Sequence, residues 1–552
     1  HQCNCNLQGI TCILLLLLFL LPVVSPDCQT GTATACMNAI FVPGHNLVGE
    51  GIDVTTLGRT GAYLVDTSQW RGPNGTCTLC RNPRQGGQWQ KLPLAAVDWR
   101  VRGSCQRKLS SSVQQSAMAM MESAAAVVQN NWKVGLEVSL LPMVNIQVGL
   151  AGSRSKLAEF VTQKSRKDKY AFLRHEVSCQ YYGFRVSEKP PLTSHFTQAV
   201  KNLPSLYKAF KPEYHHLIQT YGTHYVSQAS LGGRVRDVTA VRVCEAAQDG
   251  LTVHEIMACL STEAAVNIGV ASLQFSYSKC KAKKNKLKSW QSFHERYQER
   301  HVEVEGGKNT ADLLFSNNYA GAFSYWLKTL ESLPGLLTYS LRPIHTLLGQ
   351  DDPKREALRQ AVREYIHERA LRMDCTKSCP AGTRRSARDP CSCVCPGDGS
   401  TNTMCCSRER GLASLAVTVV RANGLRGDLI GATDAYVKVF FGGREIRTGT
   451  IWNNNNPVWN RHMDFGTIRV TVASQLRVEV WDKDRWRDDL LGTCTVPLTS
   501  GGLRQRECYL KHGRIWFRYS LPCGPHLRGQ ICSDYVPLPP QHGIVKGKEP
   551  FW

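Results

Sequence analysis

Residues 132–150 read Trp-Lys-Val-Gly-Leu-Glu-Val-Ser-Leu-Leu-Pro-Met-Val-Asn-Ile-Gln-Val-Gly-Leu. Apolar residues alternate here with polar or small ones, a period of two that is typical of β-strands because successive side chains point to opposite faces. Pro142 cannot donate to a central ladder, so it predicts two strands or a break. The apolar stripe consists of Trp132, Val134, Leu136, Val138, Leu140, Val144, Ile146, Val148 and Leu150.

A second alternating stretch lies within residues 259–281. Its phase slips by one residue near its middle, which predicts a bulge or a turn. The stretch runs into residues 281–288, where five of eight residues are lysine. Its apolar stripe consists of Val266, Ile268, Val270, Leu273, Phe275 and Tyr277.

Both stretches allow two interpretations. A strand of about 9–11 residues with this alternation can span a bilayer if a barrel closes around it. The same alternation also occurs in half-buried strands of ordinary sheets, and the pattern alone favours that interpretation. Helical spacing predicts helices over residues 107–131, 152–170, 196–222 and 354–373. The mixture predicts an α+β fold, and 552 residues are enough for two to four domains.

The charge of the chain requires an acidic partner. The formal net charge is +23, which fits a nucleic acid, an anionic membrane or an acidic carrier. No zinc-finger spacing, basic leucine-zipper pattern or RNA-recognition signature occurs in the sequence. The charge therefore favours a membrane over nucleic acid, and no nucleic-acid partner is expected.

The first residues indicate the compartment. Residues 13–21 are nine consecutive apolar residues, too few for a membrane helix but the usual length of a signal-peptide core. Cleavage is expected near Ser25 or Pro26, and we therefore expect residues 1–26 to be a signal peptide and the protein to be secreted. Asn74-Gly-Thr76 is a glycosylation sequon and predicts a surface loop at Asn74.

Twenty cysteines follow the predicted signal peptide, an even number that predicts about ten disulfides in a secreted chain. The Cys77-Thr-Leu-Cys80 pair is interpreted as structural rather than redox-active or zinc-binding. Seven cysteines crowd residues 375–406, so one must pair outside that segment. The candidates are Cys28, Cys36, Cys77, Cys80, Cys105, Cys179, Cys244, Cys259, Cys280, Cys375, Cys379, Cys391, Cys393, Cys395, Cys405, Cys406, Cys494, Cys508, Cys523 and Cys532.

Acidic residues cluster in two loops of the C-terminal part, where short strands and turns predict an antiparallel β-sandwich. Two loops at one end of a sandwich can bring such carboxylates together, and Ca²⁺ prefers six to eight oxygen ligands from flexible loops. Solvated loop aspartates are the alternative. The candidate carboxylates are Asp428, Asp434, Asp482, Asp484 and Asp489, with Asp488 beside them.

This pattern resembles the C2-type domains, which bind lipids in a calcium-dependent manner. The resemblance rests on Asp428-x5-Asp434-Ala-Tyr-Val-Lys438 and on Trp481-Asp-Lys-Asp484. It implies calcium as the cofactor and adds Asn453, Gly427, Gly431 and Ala432 to the candidate site. The last loop is one residue shorter than usual, so the last ligand stays open between Asp488 and Asp489. Leu429, Ile430 and Trp486 stand at the loop tips, where they are candidates to enter the lipid interface.

Two further motifs resemble the membrane-attack-complex/perforin family. One is Gly49-Glu-Gly-Ile-Asp-Val-Thr55. The other comprises Tyr221, Gly222, Thr223, His224 and Tyr225, followed by Gly232 and Gly233. The resemblance covers nearly the whole mature chain. It implies a family domain over residues 27–374, an EGF-like disulfide-rich module over 375–407, a C2-type domain over 408–522 and a tail over 523–552.

The resemblance also implies a fold and a mechanism. The first domain would hold a bent antiparallel sheet flanked by helical clusters that unfurl into transmembrane β-hairpins. For the two alternating stretches, the resemblance therefore favours membrane-spanning strands over half-buried strands of an ordinary sheet. Further inserting residues would lie in 152–170 and 281–300. The expected function is calcium-dependent pore formation by ring-shaped homo-oligomers on a phospholipid membrane, in immune killing of target cells. Storage in acidic secretory granules, with an acidic carrier as a further partner, is expected before release.

Enzymatic interpretations find little support. His294-Glu-Arg-Tyr-Gln298 lacks the second histidine of the zinc-protease motif, and no nucleophile elbow or phosphate-binding loop occurs. We therefore expect no enzyme. A calcium-dependent phospholipase and a non-lytic relative that only adheres to membranes remain the alternatives. Both would bind lipid without forming ring-shaped pores.

Overall fold

The computed structural model describes residues 28–105, 109–138, 145–270, 274–287, 291–308, 312–315, 321–427, 431–538 and 543–546. The predicted signal peptide lies outside these residues. Among the helices that the structure describes, none is long and apolar enough to cross a membrane.

The N-terminal region combines many strands with short helices, so the predicted α+β class is confirmed. Its strands are β1 Cys28–Gly31, β2 Glu50–Asp53, β3 Gly58–Tyr63, β4 Cys77–Asn82, β5 Gln88–Lys91, β6 Ala96–Ser104, β7 Ser110–Gln114, β8 Ile146–Gly149, β9 Tyr170–Val186, β10 His224–Arg242, β11 Arg300–Glu305, β12 Gly335–Pro343 and β13 Leu371–Asp374. Its helices are α1 Ala33–Asn38, α2 Ala117–Ala125, α3 Lys156–Lys167, α4 Ser194–Lys201, α5 Lys211–Tyr221, α6 Val243–Gln248, α7 Val253–Asn267, α8 Gln274–Lys286, α9 Phe293–Arg296, α10 Ala322–Thr329 and α11 Lys354–Arg369.

A large antiparallel sheet organises this region around its two longest strands, β9 and β10, which pair with each other. Strands β6 and β7 pair successively with β9. Strand β10 pairs with β12 over its first half and with β11 over its second, and the change falls beside Gly232 and Gly233. A Cβ atom at Gly232 would collide with the carbonyl of Cys179, and one at Gly233 would collide with Leu330 and Trp326. The two glycines therefore permit close packing where the strand exchanges partners.

The strand prediction for residues 132–150 is wrong in this structure, apart from β8. Residues 130–133 form a 3₁₀ turn and residues 134–137 turn again, while 139–144, with Leu140 and Val144, lie outside the described residues. Gly135 at φ 81° and Glu137 at φ 51° have left-handed backbone conformations, and the chain turns at both instead of staying extended. Trp132 and Leu136 are buried, whereas Val134 is 70% exposed. The turns therefore bury part of the apolar stripe without forming a strand.

The strand prediction for residues 259–281 is also wrong, because residues 259–267 lie in α7, 268–270 form a turn and 274–281 lie in α8. Helix α7 begins at a capping box in which the Thr252 hydroxyl and the Glu255 carboxylate each accept a backbone N–H of the other residue. Ile268 is buried and Val266 is exposed. Leu273 lies outside the described residues, and Phe275 and Tyr277 fall within α8.

The helix predictions fare better. The expected helices over 152–170 and 354–373 are confirmed as α3 and α11, and 196–222 holds α4 and α5. The prediction for 107–131 is wrong at its start, where β7 pairs with β9 before α2 begins. Ser116 caps α2 by accepting the backbone N–H of Ala119, which stops the helix from extending further back.

Ten disulfides join all twenty candidate cysteines. Cys77 and Cys80 bond to Cys36 and Cys28 rather than to each other. The seventh cysteine of the cysteine-rich segment is Cys406, which bonds to Cys244 in α6 and so ties this segment to the N-terminal region. The segment itself contains only the short strands β14 Arg384–Arg385 and β15 Cys393–Val394.

The C-terminal part is an all-β sandwich of two four-stranded sheets with the orders β19-β16-β23-β22 and β18-β17-β20-β21. Its strands are β16 Leu412–Asn423, β17 Ala435–Phe441, β18 Arg444–Arg447, β19 Val458–Arg469, β20 Gln475–Asp482, β21 Asp489–Pro497, β22 Gly501–Tyr509 and β23 Arg514–Leu521. Apolar residues from both sheets form one core between them. The tail contributes β24 Leu527–Arg528, β25 Asp534–Tyr535 and β26 Gly543–Lys546, and β26 pairs with β13.

Candidate membrane-active sites

The candidate calcium ligands lie at one end of the sandwich, where three loops meet. The first loop joins β16 to β17, the second joins β18 to β19 and the third joins β20 to β21. Strand pairing places Ala435 opposite Asp482 and Asp482 opposite Asp489. Residues far apart in sequence therefore become neighbours at this end.

Backbone hydrogen bonds fix two of the predicted carboxylates. The backbone N–H of Asp434 donates to Oδ1 of the buried Asp482 at 2.7 Å. The backbone N–H of Asn453 donates to Oδ1 of Asp434, also at 2.7 Å. Asn453 itself has φ 53°, a conformation that asparagine tolerates better than most residues. The three predicted residues thus connect all three loops.

Asp488 and Asp489 differ in their surroundings. The Asp488 carboxylate accepts the Tyr436 hydroxyl at 2.7 Å and the Lys483 ammonium at 3.0 Å. The Tyr436 hydrogen bond, and after it the hydrogen bond from Lys483, lowers the pKa of Asp488 below its usual value. Asp489 is exposed at the first position of β21. The Asp488 carboxylate is therefore occupied by hydrogen bonds within the protein, whereas the Asp489 side chain is exposed to solvent.

The remaining predicted residues of this site divide into two groups. Asp428, Leu429 and Ile430 lie outside the described residues. Gly427 lies so close to Asp482 that a Cβ atom there would overlap the carboxylate, and Gly431 has φ 118°, so both positions favour glycine. Ala432 and Asp484 are half-buried in the first and third loops. Trp486, at the tip of the third loop, is 98% exposed.

The donor chemistry of this end fits calcium. Carboxylate oxygens from two loops, held by backbone N–H groups, are the ligands that Ca²⁺ prefers. Within the described part of the chain, which lacks Asp428, no three histidine, cysteine, aspartate or glutamate side chains gather closely enough to hold a metal ion.

Sequence reasoning missed Trp452, which lies in the second loop. Its neighbours are anchored: Ile451 bridges to Ala435, and the Asn453 N–H donates to Asp434. The Trp452 side chain is nevertheless 64% exposed. An aromatic residue directly before the predicted Asn453 was the available signal.

The family motif at Tyr221–Tyr225 is structural in this molecule. The Thr223 hydroxyl accepts the Val54 N–H at 3.0 Å, which joins this motif to the motif at residues 49–55. Burial lowers the pKa of His224 to about 4, so the ring is neutral at pH 7. Its Nε2 contacts the Trp132 carbonyl at 2.8 Å and must donate, because a carbonyl only accepts. His224 therefore ties the start of the first alternating stretch to the sheet.

The second alternating stretch is held against the sheet by polar contacts. The Ser261 hydroxyl of α7 lies 2.8 Å from the Ser111 hydroxyl of β7 and 3.0 Å from His175 Nε2 of β9. A disulfide between Cys259 and Cys280 joins α7 to α8. These contacts place the stretch directly over β7 and β9.

The lysine-rich run lies largely on α8. Lys283 pairs with Glu255 at 2.7 Å and Lys284 pairs with Glu263 at 3.5 Å, both on α7. Exposed ion pairs of this kind contribute on the order of 0–1 kcal/mol each. They orient the helix without fixing it strongly.

The first helical cluster packs apolar residues of α2 and α3 against β9 and β10, and it also makes polar contacts with the rest of the molecule. Lys164 of α3 pairs with Glu299, just before β11, at 2.9 Å. Asp168, which follows α3, accepts the Tyr535 hydroxyl from the tail. Tyr170 begins β9 two residues later, so the helix runs almost directly into a central strand.

Comparisons with known proteins agree with this architecture. The family described as MAC/Perforin domain matches residues 41–374, the family described as Perforin-1-like, EGF domain matches 374–408, and the C2 domain family matches 413–512. The chain is 48% identical to Perforin-1 of Homo sapiens over 92% of this chain and 93% of that protein. It is 46% identical to Perforin-1 of Rattus norvegicus over 95% and 96%. A solved structure of a C2 domain is 36% identical over 20% of this chain and 98% of that chain, with a TM-score of 0.18.

Proposed function

Because the chain belongs to the MAC/Perforin family, we propose that it is a pore-forming cytolytic protein that docks on target membranes through calcium, assembles into rings and inserts β-hairpins. The family is pore-forming and non-enzymatic, and the Perforin-1 relatives act on target membranes after secretion. The granule storage and the acidic carrier belong to the proposal as well, supported by the net charge of +23.

One observation carries the insertion step. Segments with strand alternation are stored as turns and helices that lie next to the ends of sheet strands. Strand β7 ends at Gln114, just before the first helical cluster, and β9 begins at Tyr170, just after it. If residues 115–169 became extended, they would prolong β7 and β9 into one hairpin. The order and direction of the strands in the sheet would stay the same, because β7 and β9 are already antiparallel neighbours. Residues 243–299 stand in the same relation to β10 and β11.

The sheet can accommodate this change because its strands are antiparallel neighbours. Two hairpins from each subunit would contribute four strands, so many subunits are needed to close a wide barrel. Within the hairpins, alternation would place the apolar stripes toward lipid and the polar residues toward the lumen. The lysine-rich run would end in the lumen or at the interface, because lysine is costly within the hydrocarbon.

Docking would depend on the loop end of the sandwich. Asp434, Asp482, Asp484 and Asp489, together with Asp428, are the proposed calcium ligands. Asp489 is preferred to Asp488 as the last ligand, because Tyr436 and Lys483 already occupy the Asp488 carboxylate. Asn74, exposed next to a turn, is the proposed glycosylation site.

Liposomes test the proposal. The secreted protein is added to dye-loaded vesicles with and without calcium, and the same membranes are then viewed by electron microscopy. We expect dye leakage and ring-shaped assemblies in calcium only. Calcium-dependent binding without rings would instead support a non-lytic relative, or a phospholipase if fatty acid is released.

A further inference from the structure

We propose that the Cys259–Cys280 disulfide survives membrane insertion and sets the register of the second hairpin, in which the two cysteines lie directly opposite each other. This inference rests on the proposed function and specifies the strand pairing of its insertion step. It makes the two cysteines positioning residues for the pore, and it places Gly269 and Val270 at the tip of the hairpin.

The register follows from strand pairs that the folded sheet already contains. Thr239 of β10 lies opposite Arg300 of β11, and every pair back to Arg234 keeps the same antiparallel register. In an antiparallel ladder, each step forward along one strand is a step back along the other. Twenty residues beyond Thr239 is Cys259, and twenty residues before Arg300 is Cys280. If the ladder continues without a bulge, the two cysteines therefore become a cross-strand pair.

The disulfide fits both conformations. It joins α7 to α8 in the folded protein, and its two Cα atoms lie 5.5 Å apart. Residues directly opposite each other in an antiparallel pair have Cα atoms about 4.5–5.5 Å apart, a separation that a disulfide accepts. The bond can therefore stay closed while the helices give way to strands, and no reductant is needed.

The disulfide also excludes other registers of the hairpin. A shift of one residue would point the two cysteine side chains to opposite faces of the sheet. A shift of two residues would separate their Cα atoms by about 8 Å, which is beyond the reach of the bond. A closed disulfide therefore admits only the register that continues from β10 and β11.

The same register places a turn-forming residue at the tip. Ten residues beyond Cys259 is Gly269, and ten residues before Cys280 is Val270, which directly follows Gly269 in the chain. The strands would therefore meet in a two-residue turn, where glycine at the first position is typical of the type II′ turn. Gly269 already has φ 72° in the folded protein. The strands 259–268 and 271–280 have ten residues each, the length that spans a bilayer, so the disulfide would lie at the membrane boundary.

The continued register also explains the phase slip in the second alternating stretch. Opposite residues share a face of the sheet. Across a two-residue turn, even-numbered residues of the first strand therefore face the same side as odd-numbered residues of the second. The opposite face would carry the disulfide and the polar pair Ser261 and Ser278, as a water-filled lumen requires. The face toward lipid would include Val266, Ile268, Leu273, Phe275 and Tyr277.

The first hairpin provides an independent check. Val113 of β7 lies opposite Leu173 of β9. Continuing that ladder by 29 residues on each strand reaches Pro142 and Val144, which have one residue between them. Even-numbered residues would then pair with even-numbered ones, so the stripe in 132–150 should keep one phase on both sides of the tip. The sequence has no phase slip in this stretch and has one in the second, as the two registers separately require.

Cysteine crosslinking on vesicles tests the register in the full secreted chain with its native disulfide. The variant Ser261→Cys, Ser278→Cys creates a pair that the proposed register places directly opposite each other. The matched control is Ser261→Cys, Ser276→Cys, in which one partner is displaced by two residues. After calcium-dependent insertion into dye-loaded phosphatidylcholine vesicles, a mild oxidant is added and linked peptides are identified by mass spectrometry. We expect the first pair to crosslink about tenfold more than the control, and only on vesicles that leak.

The native disulfide is followed in the same samples. Digestion without reduction should recover the peptide that contains the Cys259–Cys280 bond from leaking vesicles, with no free thiol at either cysteine. Free thiols that appear on insertion, or crosslinking of the first pair no stronger than that of the control, would overturn the inference and leave the leakage itself intact. Wild type that neither leaks dye nor forms rings would instead overturn the proposed function.

Removing the bond tests its positioning role. The variant Cys259→Ser, Cys280→Ser should bind vesicles like wild type. Registers displaced by two residues in either direction keep the same faces, so they would then compete with the proposed one. In this background the pair Ser261→Cys, Ser276→Cys should begin to crosslink, and leakage should fall by about threefold, since three registers share the inserted chains. If that pair still does not crosslink, the bond does not set the register. The variants that keep the native bond test the register even if this one is not secreted.

Discussion

The C-terminal sandwich and the helical clusters of the N-terminal region both contain alternating apolar residues, yet only the sandwich folds them as strands. In β16 and β20, alternate residues are buried in the core between the sheets. In residues 259–281, the same pattern lies on α7, on α8 and on the turn at 268–270 that follows α7. An alternation that the folded chain does not use as a strand is what the proposed insertion step requires.

The contacts that hold the two regions differ accordingly. The sandwich has a continuous core of residues from both sheets, and its strands are joined by ladder hydrogen bonds. Helix α7 packs Ile256 and Leu260 into the core of the N-terminal region, and the Cys259–Cys280 disulfide joins it to α8. Its polar contacts, the two ion pairs with α8 and the Ser261 hydroxyl contact with β7, are weak. Release of these helices therefore means leaving that core, whereas the separate core of the sandwich is not disturbed.

The largest effect is expected from locking a helical cluster to the sheet. Replacing Ser111 and Ser261 by cysteine should allow a disulfide between β7 and α7, because their hydroxyls lie 2.8 Å apart. The locked protein should bind vesicles in calcium but release no dye, since α7 cannot leave the sheet.

Mild reduction should restore leakage in the locked protein. The single variant Ser261→Cys and wild type treated with the same reductant serve as controls. A locked protein that leaks like wild type would remove residues 259–281 from the insertion step.

The second prediction concerns the sandwich alone. Replacing Asp428 and Asp434 by alanine should abolish vesicle binding, because losing even an outer-shell partner of a metal typically costs about 10–100-fold in affinity. The variant should stay folded and melt slightly below wild type, since the Asp434 carboxylate also accepts the Asn453 N–H. Asp488→Asn should bind nearly normally, whereas Asp489→Asn should not. Wild-type binding by the double variant would place the calcium site elsewhere.

The third prediction concerns the lysine-rich run. Replacing Lys281, Lys283, Lys284, Lys286 and Lys288 by glutamine should alter the ion selectivity of the pore or its assembly, because these charges would line the lumen. Planar-bilayer conductance with asymmetric salt measures the selectivity. Unchanged selectivity together with unchanged ring formation would make the run an ordinary solvated helix face.

The smallest effect is expected from the buried Asp237 of β10. Burial raises the pKa of Asp237 to about 7, although Arg300 opposes the shift. The folded state therefore holds this proton more tightly than the unfolded state, whose carboxyl titrates near 3.8. The contribution of Asp237 to the free energy of unfolding is largest below pH 3.8, falls steadily between pH 3.8 and about 7, and is constant above that.

Asp237→Asn should therefore raise the melting temperature at pH 7.5 by a few degrees and raise it by less than half as much at pH 5. Burial lowers the pKa of His175 and of His224 to about 4. Their contribution to the free energy of unfolding therefore rises as pH rises from about 4 to 6.5. Comparing the variant with wild type at each pH cancels the histidines. An equal shift at both pH values would mean that Asp237 does not titrate as proposed.

Sequence reasoning identified the sandwich, the cysteine framework and the helices α3 and α11 because each has a local cause: alternation, an even count of cysteines, or helical spacing. It failed at residues 132–138. The alternation predicts an extended chain there, but the left-handed backbone at Gly135 and Glu137 interrupts it, and composition does not reveal such a conformation. At α7 a signal was available, since Thr252 and Glu255 form a capping box three residues apart.

In the candidate site too, some features could be predicted from the sequence and others depend on the folded loops. Asp434, Asp482 and Asn453 could be placed from loop spacing and from the C2-type resemblance, and the structure joins them by hydrogen bonds. The internal role of Asp488 depends on Tyr436 and Lys483, which only the folded loop brings to it. Trp452 was missed although its place directly before Asn453 was a signal, because its 64% exposure depends on the folded loop.

The most direct test of the insertion step is a scan of residues 265–270 with an environment-sensitive dye on single cysteines, read before and after pore formation on vesicles. The account predicts a change from the present arrangement, in which Ile268 is buried and Val266 is exposed, to strict alternation, with Val266, Ile268 and Val270 in lipid and Asn267 and Gly269 in water. A pattern that pore formation leaves unchanged in leaking vesicles, or no entry into lipid, would contradict it.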